Sequence, residues 1–298
     1  MKQQDAFSGY HPLVNFLCFA LVLAFTMFLT HPVAQTISLA SALVCAGTLN
    51  GGAALRRSLL WLLPMAAIAA LLNPAFSHEG AAILTYLPGG NPLTLESILY
   101  GLSAAAMLAS VILWFQCYTA VMSSDKFVYL FGRLIPALSL VLSMTLRFVP
   151  RFKTQLHAVT EAQRSLGRDV SEGSVWRRIR LAATILSILV TWALENAIET
   201  ADSMRSRGYG LPGRTAFSIY RLDSRDRALL TWLGFCGFFL LSGALAGGLY
   251  WRYYPTVRWG PVTPLTALLF LTYLALCLTP VILNGKEART WRRLRSAI

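Results

Sequence analysis

Long apolar runs separated by short polar or charged connections are the feature of this sequence that most limits its fold. An α-helix needs about 20 mainly apolar residues to cross the hydrocarbon core of a bilayer, because every backbone polar group there must be satisfied within the segment. The candidate spans are 14–29, 33–49, a short 59–72, 98–122, 229–250 and 262–283. We therefore predict an all-α integral membrane protein with about six transmembrane helices.

The charge of the chain is distributed unevenly along it. Its 298 residues are 56% hydrophobic and 13% charged, with a net charge of +13, which excludes an ordinary soluble domain. A basic soluble chain would suggest nucleic acid, but the sequence has no zinc-finger, RNP-type or helix-turn-helix pattern, and we predict no nucleic-acid partner. With the N-terminus inside, only Arg252 and Arg258 of the 26 basic residues face outward. The positive-inside rule thus predicts a multi-pass protein of the cell membrane with cytoplasmic N- and C-termini.

The distribution of basic residues divides the chain into three predicted regions. Residues 1–122 hold four spans, 123–227 form a basic cytoplasmic region, and 228–298 hold a two-span hairpin with a basic tail. Within the middle region, the apolar segments 130–149 and 179–194 could either span the membrane or lie along it. Spanning would place many arginines outside, so we predict long helices under the cytoplasmic face with their basic sides toward water.

Prolines and charged pairs mark the predicted helix boundaries. The pair Arg56-Arg57 is expected on the aqueous side before the third span, and Pro74 is expected to end that span. Residues 75–96 are predicted to form a loop that contains Gly and Pro but no Lys or Arg. Pro136 and Pro150 bracket the first apolar segment of the middle region and are expected to kink or break its helix, since proline removes a backbone donor.

A seven-residue pattern occurs twice in the middle region. Residues 161–167 (EAQRSLG) and 202–208 (DSMRSRG) match as acid-x-x-Arg-Ser-x-Gly, 41 positions apart. Each copy has the composition of a helix end, with a glycine where the chain leaves through positive φ and an arginine near the negative end of the helix dipole. Helix termination accounts for either copy taken singly, whereas two alike helix tips suggest two alike binding partners.

Motifs for nucleotide binding, metal binding and catalysis are absent from the sequence. No G-x-x-x-x-G-K-[ST] loop occurs, so the chain has no P-loop of its own for ATP. Its five cysteines lie in apolar runs without a C-x-x-C spacing, which disfavours disulfides and metal clusters. We therefore predict no cofactor, no metal site and no catalytic residue.

The order of these features resembles the transmembrane T component of energy-coupling factor transporters, which are ABC-type importers of vitamins and micronutrients. The likeness covers most of the chain and rests on 10–12 (YHP), 31–32 (HP), 146–150 (LRFVP) before the first tip, and 206–209 (SRGY) at the second. The two tips are similar to the paired X-Arg-X motifs of that family.

The resemblance implies a scaffold that is not itself an enzyme. Long cytoplasmic coupling helices would dock two ABC-type ATPase subunits through the tips, while a separate S component in the same lipid bilayer binds the substrate. ATP hydrolysis by the partners would then drive uptake. The ATPase-coupling residues implied are Arg164, Ser165, Gly167, Arg205, Ser206, Arg207 and Gly208.

The first tip departs from the family pattern, which usually has Ala-Arg-Gly at this place. Leu166 occupies the position of the central arginine, so Arg164 and Arg168 are the candidates for supplying its charge. In the second copy, Arg207 matches the family motif and Arg205 matches the internal repeat. Arginine suits the role because its planar, permanently charged fork binds carboxylates and helix-end carbonyls.

Acidic residues near the second tip leave an enzymatic alternative open. Glu195, Glu199 and Asp202 lie where an apolar helix meets the basic region, and acidic groups in membranes are candidates for function. An integral membrane enzyme with an acidic site at the cytoplasmic interface would act without ATPase partners. A stand-alone carrier is a further alternative, which the near absence of charge within the spans disfavours.

Overall fold

A computed structural model describes residues 5–77, 79–86, 92–132, 135–169, 174–211, 220–261 and 263–296. Its regular structure is almost entirely helical, which confirms the predicted all-α class. In chain order the helices are a 3-10 turn (Phe7–Gly9), α1 (Pro12–Phe28), α2 (Pro32–Asn50), α3 (Gly52–Phe76), α4 (Leu95–Val121), α5 (Ser124–Gly132), α6 (Pro136–Ser165), α7 (Val175–Ser206), α8 (Ser224–Leu245) and α9 (Pro264–Ser296). The antiparallel strand pairs are β1 (Ile83–Tyr86) with β2 (Pro92–Thr94), and β3 (Trp251–Arg252) with β4 (Arg258–Trp259).

Six helices of the described residues are long and apolar enough to cross a membrane: α2, α3, α4, α7, α8 and α9. The chain is therefore a multi-pass membrane protein, as predicted. These six helices differ from the six predicted spans at one place. Helix α1, which contains the predicted first span, has only 17 residues, whereas α7 is long and apolar enough to cross a membrane. The charges of α7 lie toward its two ends, which leaves 181–194 as an uncharged run of span composition. The orientation of α7 along the cytoplasmic face of the membrane stays a prediction.

The third span is longer than predicted. Helix α3 begins at Gly52, contains the Arg56-Arg57 pair, and continues for 25 residues through Pro64 and Pro74. The prediction that the span ends at Pro74 is wrong, since the helix continues for two residues beyond this proline, which removes only its own N–H from the helix hydrogen bonds. Pro64 is tolerated in mid-helix, as prolines in transmembrane helices often are.

Two further boundaries correct the sequence-based predictions. Residues 75–96 are not a simple loop, because they include the end of α3, the β1–β2 pair and the first turn of α4. Pro150 does not break its helix but lies inside the 30-residue α6, whereas Pro136 is the first residue of α6, where proline is favoured. The apolar segment 130–149 is divided instead between α5 and α6. The predicted start of the last span, Val262, lies outside the described residues.

The contacts divide the chain into two units. Unit 1 comprises Met1–Lys126 and Tyr220–Ile298, and unit 2 comprises Phe127–Ile219. Unit 1 contains α1–α4, α8 and α9 around one apolar core, whose largest fully buried side chains include Trp114 and Tyr273. Unit 2 contains α6 and α7, whose smaller buried cluster is formed by Val159, Leu181, Ile185 and Leu189.

Uncharged polar side chains form a buried network within the core of unit 1, which no local sequence pattern indicates. The Thr26 Oγ1 lies 2.7 Å from the Ser38 Oγ and 3.0 Å from the Tyr273 hydroxyl oxygen. The Trp114 Nε1 donates to the Ser38 Oγ at 3.0 Å. Each of these side chains is at most 1% exposed. Polar groups in such surroundings must satisfy one another, so the network fixes how α1, α2, α4 and α9 pack.

Removing the shared hydroxyl of this network is expected to destabilise the bundle. Ser38→Ala leaves the Trp114 indole N–H and the Thr26 hydroxyl without this partner, which should lower the free energy of unfolding by about 1–3 kcal/mol. Thermal unfolding of the purified protein in detergent measures this loss. The matched control is Thr36→Ala on the same helix, because the Thr36 hydroxyl is exposed and bonds the Val33 carbonyl of its own helix. Equal melting temperatures for Ser38→Ala and wild type would contradict the expectation.

Candidate functional site

The two predicted helix tips are the C-terminal ends of α6 and α7. Helix α6 ends at Ser165 and α7 ends at Ser206, and in each the second residue beyond the helix is a glycine. The backbone φ is +73° at Gly167 and +76° at Gly208. The prediction that each helix ends at a glycine of positive φ is confirmed.

Both tips close with the same pair of backbone hydrogen bonds, the Schellman motif. The glycine N–H donates to the carbonyl three residues back, and the next N–H donates to the carbonyl five residues back. The pairs are Gly167 to Arg164 (2.9 Å) and Arg168 to Gln163 (3.0 Å) in the first tip, and Gly208 to Arg205 (3.0 Å) and Tyr209 to Met204 (3.0 Å) in the second. Helix α8 ends in the same way at Gly247, so the motif alone marks a helix end and not a function.

Residues that hold the same place in the two Schellman motifs are 41 positions apart, which is also the spacing of the sequence repeat. Leu166 and Arg207 are the cap residues, and Arg164 and Arg205 lie two positions before them. The sequence repeat therefore reflects a repeat of backbone geometry. The family-motif position of the first tip is held by an apolar cap residue that is 70% exposed.

The charged groups of the two tips differ in their local partners. The Arg164 Nε lies 3.1 Å from the Asp169 Oδ2, and the arginine side chain is 75% exposed. An exposed ion pair of this kind contributes about 0–1 kcal/mol, so it orients Arg164 without immobilising it. Arg205 and Arg207 are also exposed, and the position equivalent to Asp169 in the second tip is Gly210. The second tip therefore presents its arginines without that internal carboxylate.

The serine of each tip is bonded to its own helix. The Ser165 Oγ donates to the Glu161 carbonyl at 3.0 Å, and the Ser206 Oγ donates to the Ser203 carbonyl at 2.9 Å. Each hydroxyl is thus held against the last turns of its own helix. Both serines remain exposed, so their oxygen lone pairs are accessible to a binding partner.

The packing of α6 on α7 places the tips at opposite ends of the helix pair. Phe152 contacts Trp192 edge-on, with ring centroids 5.4 Å apart. Further along α6, Val159 belongs to the buried cluster whose α7 members precede Trp192. The helices therefore run antiparallel. At 1.5 Å per residue each tip is about 20 Å from the Phe152–Trp192 contact, which separates the tips by roughly 35–40 Å.

An open apolar groove of about 220 Å³ lies beside this contact. It is lined by Phe148, Phe152, Trp192, Ala193, Asn196 and Ala197. The small side chains at 193 and 197 are one helical turn apart, which lets a neighbouring apolar surface approach the α7 backbone closely. The helix pair therefore offers an apolar surface between two basic ends.

The acidic residues of the enzymatic alternative do not line this groove. Glu195, Glu199 and Asp202 are exposed on α7, and the groove is lined instead by the intervening Asn196 and Ala197. In the part of the chain that the structure describes, no three His, Cys, Asp or Glu side chains are grouped so that they could hold a metal ion. The acidic side chains thus lie on an open helix face, outside the groove.

The backbone of the second tip is expected to depend on its glycine. Gly208→Ala should destabilise the tip by about 1–2 kcal/mol, because an L-residue is strained at positive φ. Its Cβ would also lie 3.1 Å from the Leu211 Cδ1, whereas a Cβ at Gly167 would meet no atom within 4 Å. Amide hydrogen exchange measures this loss, and we expect residues 203–211 to exchange faster. Gly234→Ala, which has neither positive φ nor a neighbour within 4 Å, is the control, and unchanged exchange in Gly208→Ala would refute the expectation.

Comparison with known proteins finds a matching family and several similar relatives. The model of a family described as cobalt transport protein (CbiQ) matches residues 11–217, which include both tips. The energy-coupling factor transporter transmembrane protein EcfT of Lactobacillus helveticus is 36% identical over 112 residues, which cover 37% of this chain and 39% of that protein. The EcfT of Lacticaseibacillus paracasei is 34% identical over 112 residues, covering 37% of this chain and 40% of that protein. The EcfT of Staphylococcus aureus is 28% identical over 174 residues, covering 54% of this chain and 64% of that protein. The chain thus aligns with about two fifths of the length of the first two relatives.

Proposed function

Because this chain belongs to the CbiQ family of cobalt transport proteins, we propose that it is the transmembrane scaffold of an energy-coupling factor transporter and docks two ABC-type ATPases through its helix tips. The resemblance to the T component that the paired tips indicated is confirmed by the family and by the relatives named EcfT. The family is a transport component and not a catalytic one, which disfavours the membrane-enzyme alternative.

The observation that carries the docking proposal is the repeated tip geometry. Two helix ends with the same hydrogen bonds and the same Arg-Ser sequence lie at opposite ends of an antiparallel helix pair. A partner with two alike grooves about 35–40 Å apart would fit both ends at once. A pair of related ATPase subunits presents such a repeated surface, since related subunits carry the same patch twice.

Arginine chemistry gives the tips their proposed contacts. The guanidinium of Arg207 extends from a cap position and would bind carboxylates or helix-end carbonyls in an ATPase groove with two parallel hydrogen bonds. At the first tip, the exposed side chain of Leu166 would pack against an apolar part of the groove, with charge supplied by Arg164 or Arg168. The two grooves would then be alike in shape but not identical in their contacts.

The helix pair would transmit movement of the ATPases to the membrane. Helices α6 and α7 have 30 and 32 residues, which makes each about 45 Å long. Closure of the ATPases on ATP would move both grooves and therefore both helix ends, and a packed helix pair responds by shifting as a rigid element. The shift would tip or release a separate S component and open its substrate to the cytoplasm.

The S component would bind the exposed apolar surfaces of this chain. The candidate is the apolar groove beside Trp192, because its small side chains at 193 and 197 allow close helix packing in a bilayer, whereas the small residues of 33–49 and 103–106 are mostly buried or half-buried within unit 1. The S component, not this chain, would select the substrate, which we propose to be a vitamin or another micronutrient. In this arrangement the scaffold lies in the cell membrane with both termini in the cytoplasm.

Affinity purification of the chain from its native membrane tests the proposal. The expected result is the co-purification of two ABC ATPases and a small membrane protein in stoichiometric amounts. A chain that purifies alone and retains an activity of its own on a membrane substrate would overturn the proposal. Glu195 and Glu199 would then be the first residues to substitute.

A further inference from the structure

A short N-terminal segment, residues 5–15, contacts the chain near both points at which it passes between the two units. The chain leaves unit 1 after Lys126, its exit point, and resumes unit 1 at Tyr220, its return point. The segment contains the 3-10 turn and the start of α1. It includes the Tyr-His-Pro motif, to which the docking proposal gives no role.

The exit point is fixed by a buried lysine. The Lys126 Nζ donates to the Ser8 carbonyl, to the Ser8 Oγ (3.2 Å) and to the Val121 carbonyl (3.0 Å). The Asn15 amide, in the orientation that satisfies both of its groups, accepts from the Lys126 Nζ at 3.2 Å and donates to the Phe7 carbonyl at 2.9 Å. Lys126 is only 7% exposed, and a buried ammonium is tolerated only where oxygen atoms replace its water.

The segment is itself held in unit 1. The Phe7 N–H donates to the Asn284 Oδ1 of α9 at 2.8 Å, and the Phe7 ring is fully buried. Burial lowers the pKa of the Lys126 ammonium, and the nearby Asp5 carboxylate opposes that shift. Burial raises the pKa of Asp5, while hydrogen bonds from Asn284 and from the Phe7 backbone act in the opposite direction. The segment that surrounds the lysine is therefore anchored to α9.

The return point is fixed to the same segment by a buried carboxylate and by aromatic contacts. The His11 N–H donates to the Asp226 Oδ1 at 3.1 Å, and Asp226 is 6% exposed. The other oxygen of Asp226 accepts from the Asp223 N–H at 3.0 Å, which closes the capping box of α8. The ring of Tyr220 lies 6.4 Å from the His11 ring, measured between centroids. The first residue of the return and the first turn of α8 are thus tied to the segment.

We propose that residues 5–15 act as a clasp, which binds the exit and return points of unit 1 to each other, so that the chain passes to and from unit 2 (the coupling unit) at two points that are held together. Ser8 and His11 are three residues apart, so the two attachments lie within about 11 Å of each other along the segment. The proposal rests on the proposed function, because holding the two points together matters only when the ATPases exert force on α6 and α7. Lys126 and Asp226 are positioning residues in this view.

The clasp would matter for coupling and not for docking. The tips at Gly167 and Gly208 belong to unit 2, and their backbone hydrogen bonds are formed within residues 163–168 and 203–211. If the exit or return point were loosened, unit 2 would move when the ATPases close without transmitting that movement to unit 1. ATP would then be hydrolysed with less transport. Docking of the ATPases at the tips would be unchanged.

Lys126→Met tests the exit attachment, because it keeps an unbranched side chain and removes the ammonium. In the reconstituted complex, we expect uptake per ATP hydrolysed to fall at least about fivefold, the lower end of typical coupling between sites. ATPase co-purification should remain at the wild-type level. Lys153→Met, the same change at an exposed lysine of α6, is the matched control and should leave uptake per ATP unchanged. Wild-type coupling in Lys126→Met would overturn the proposal.

Asp226→Ala tests the return attachment, with Asp223→Ala as its matched control. Both substitutions remove half of the α8 capping box, but only Asp226→Ala removes the acceptor of the His11 N–H. Coupling should fall in Asp226→Ala and be retained in Asp223→Ala. Equal loss in both variants would assign the effect to the helix cap and would overturn a role for the return attachment.

Amide exchange of the purified chain separates this proposal from the proposed function, since it needs no ATPase. We expect faster exchange of residues 127–132 in Lys126→Met and of 220–223 in Asp226→Ala. Should Lys126→Met fail to fold, Asn15→Ala removes one acceptor, keeps the charge, and is expected to show the same change at 127–132. Unchanged exchange overturns the clasp even where the ATPases bind. Faster exchange in a chain that binds no ATPase supports the clasp and overturns the docking function.

Discussion

Replacing Arg207 with alanine is expected to weaken ATPase binding about 30-fold, which corresponds to about 2 kcal/mol. Arg207 is the cap residue of α7, exposed at the end of a long helix, with no ion pair to it within the described part of the chain. Its charge is therefore available to an external carboxylate, and arginine side chains at the centre of an interface are frequent anchors. Titration of the purified ATPases onto the chain in detergent measures the change.

Two comparisons make the Arg207 result specific. Arg207→Lys keeps the charge but loses the planar fork, so substantial loss in this variant would indicate bidentate contacts rather than charge alone. Arg227→Ala removes an exposed arginine from α8 in unit 1 and should bind as wild type does. Wild-type affinity and uptake in Arg207→Ala would refute its assignment as the central anchor.

The geometry of the helix tips was predictable from sequence because helix ends are specified locally. In each tip the glycine two positions beyond the last helical residue adopts the positive φ and allows the two closing hydrogen bonds, all within six residues. The sequence repeat therefore aligns the two tips in the same register as their hydrogen bonds do. What remained unpredicted at the tips was the Arg164–Asp169 ion pair, since a side-chain contact of this kind depends on the path of the chain beyond the helix.

Helix boundaries inside the membrane region were predicted less well, for a physical reason. Sequence rules treat proline as a helix breaker, but α3 and α6 continue through Pro64, Pro74 and Pro150. Each proline removes one backbone donor, and packing within a membrane bundle can compensate that loss. The β1–β2 pair escaped prediction because its strands have only four and three residues.

Long-range polar contacts were not predictable at all. Lys126 and Asp226 resemble ordinary members of a basic cytoplasmic region, yet their partners Ser8 and His11 are 118 and 215 residues away in sequence. Similarly, Ser38 and Trp114 give no sign in sequence that they meet in the core. A local pattern carries no information on such partners, so a buried polar group outside a recognised motif is found only in three dimensions.

Reversing the charge at both tips, with Arg164→Glu and Arg207→Glu together, is expected to abolish ATPase binding. The tips lie at opposite ends of one packed helix pair, so once one is seated the other binds at a high effective concentration. Charge reversal that removes one whole tip should then lower the affinity for the ATPases about 10²–10⁴-fold, which is more than the alanine truncation of a single anchor. Only the weak affinity of the other tip would remain. Losing both should leave no specific binding.

Titrations of the two single variants and the double variant measure this dependence. Arg164→Glu places a second carboxylate beside Asp169, so Arg164→Ala is needed to separate loss of the arginine from local repulsion. Arg180→Glu with Arg227→Glu changes the net charge equally at exposed positions outside the tips and should bind nearly as wild type does. If either single reversal already abolishes binding, neither tip holds an ATPase by itself and both must be seated at once. If the singles retain full affinity, neither tip docks an ATPase, and the scaffold must couple through another surface.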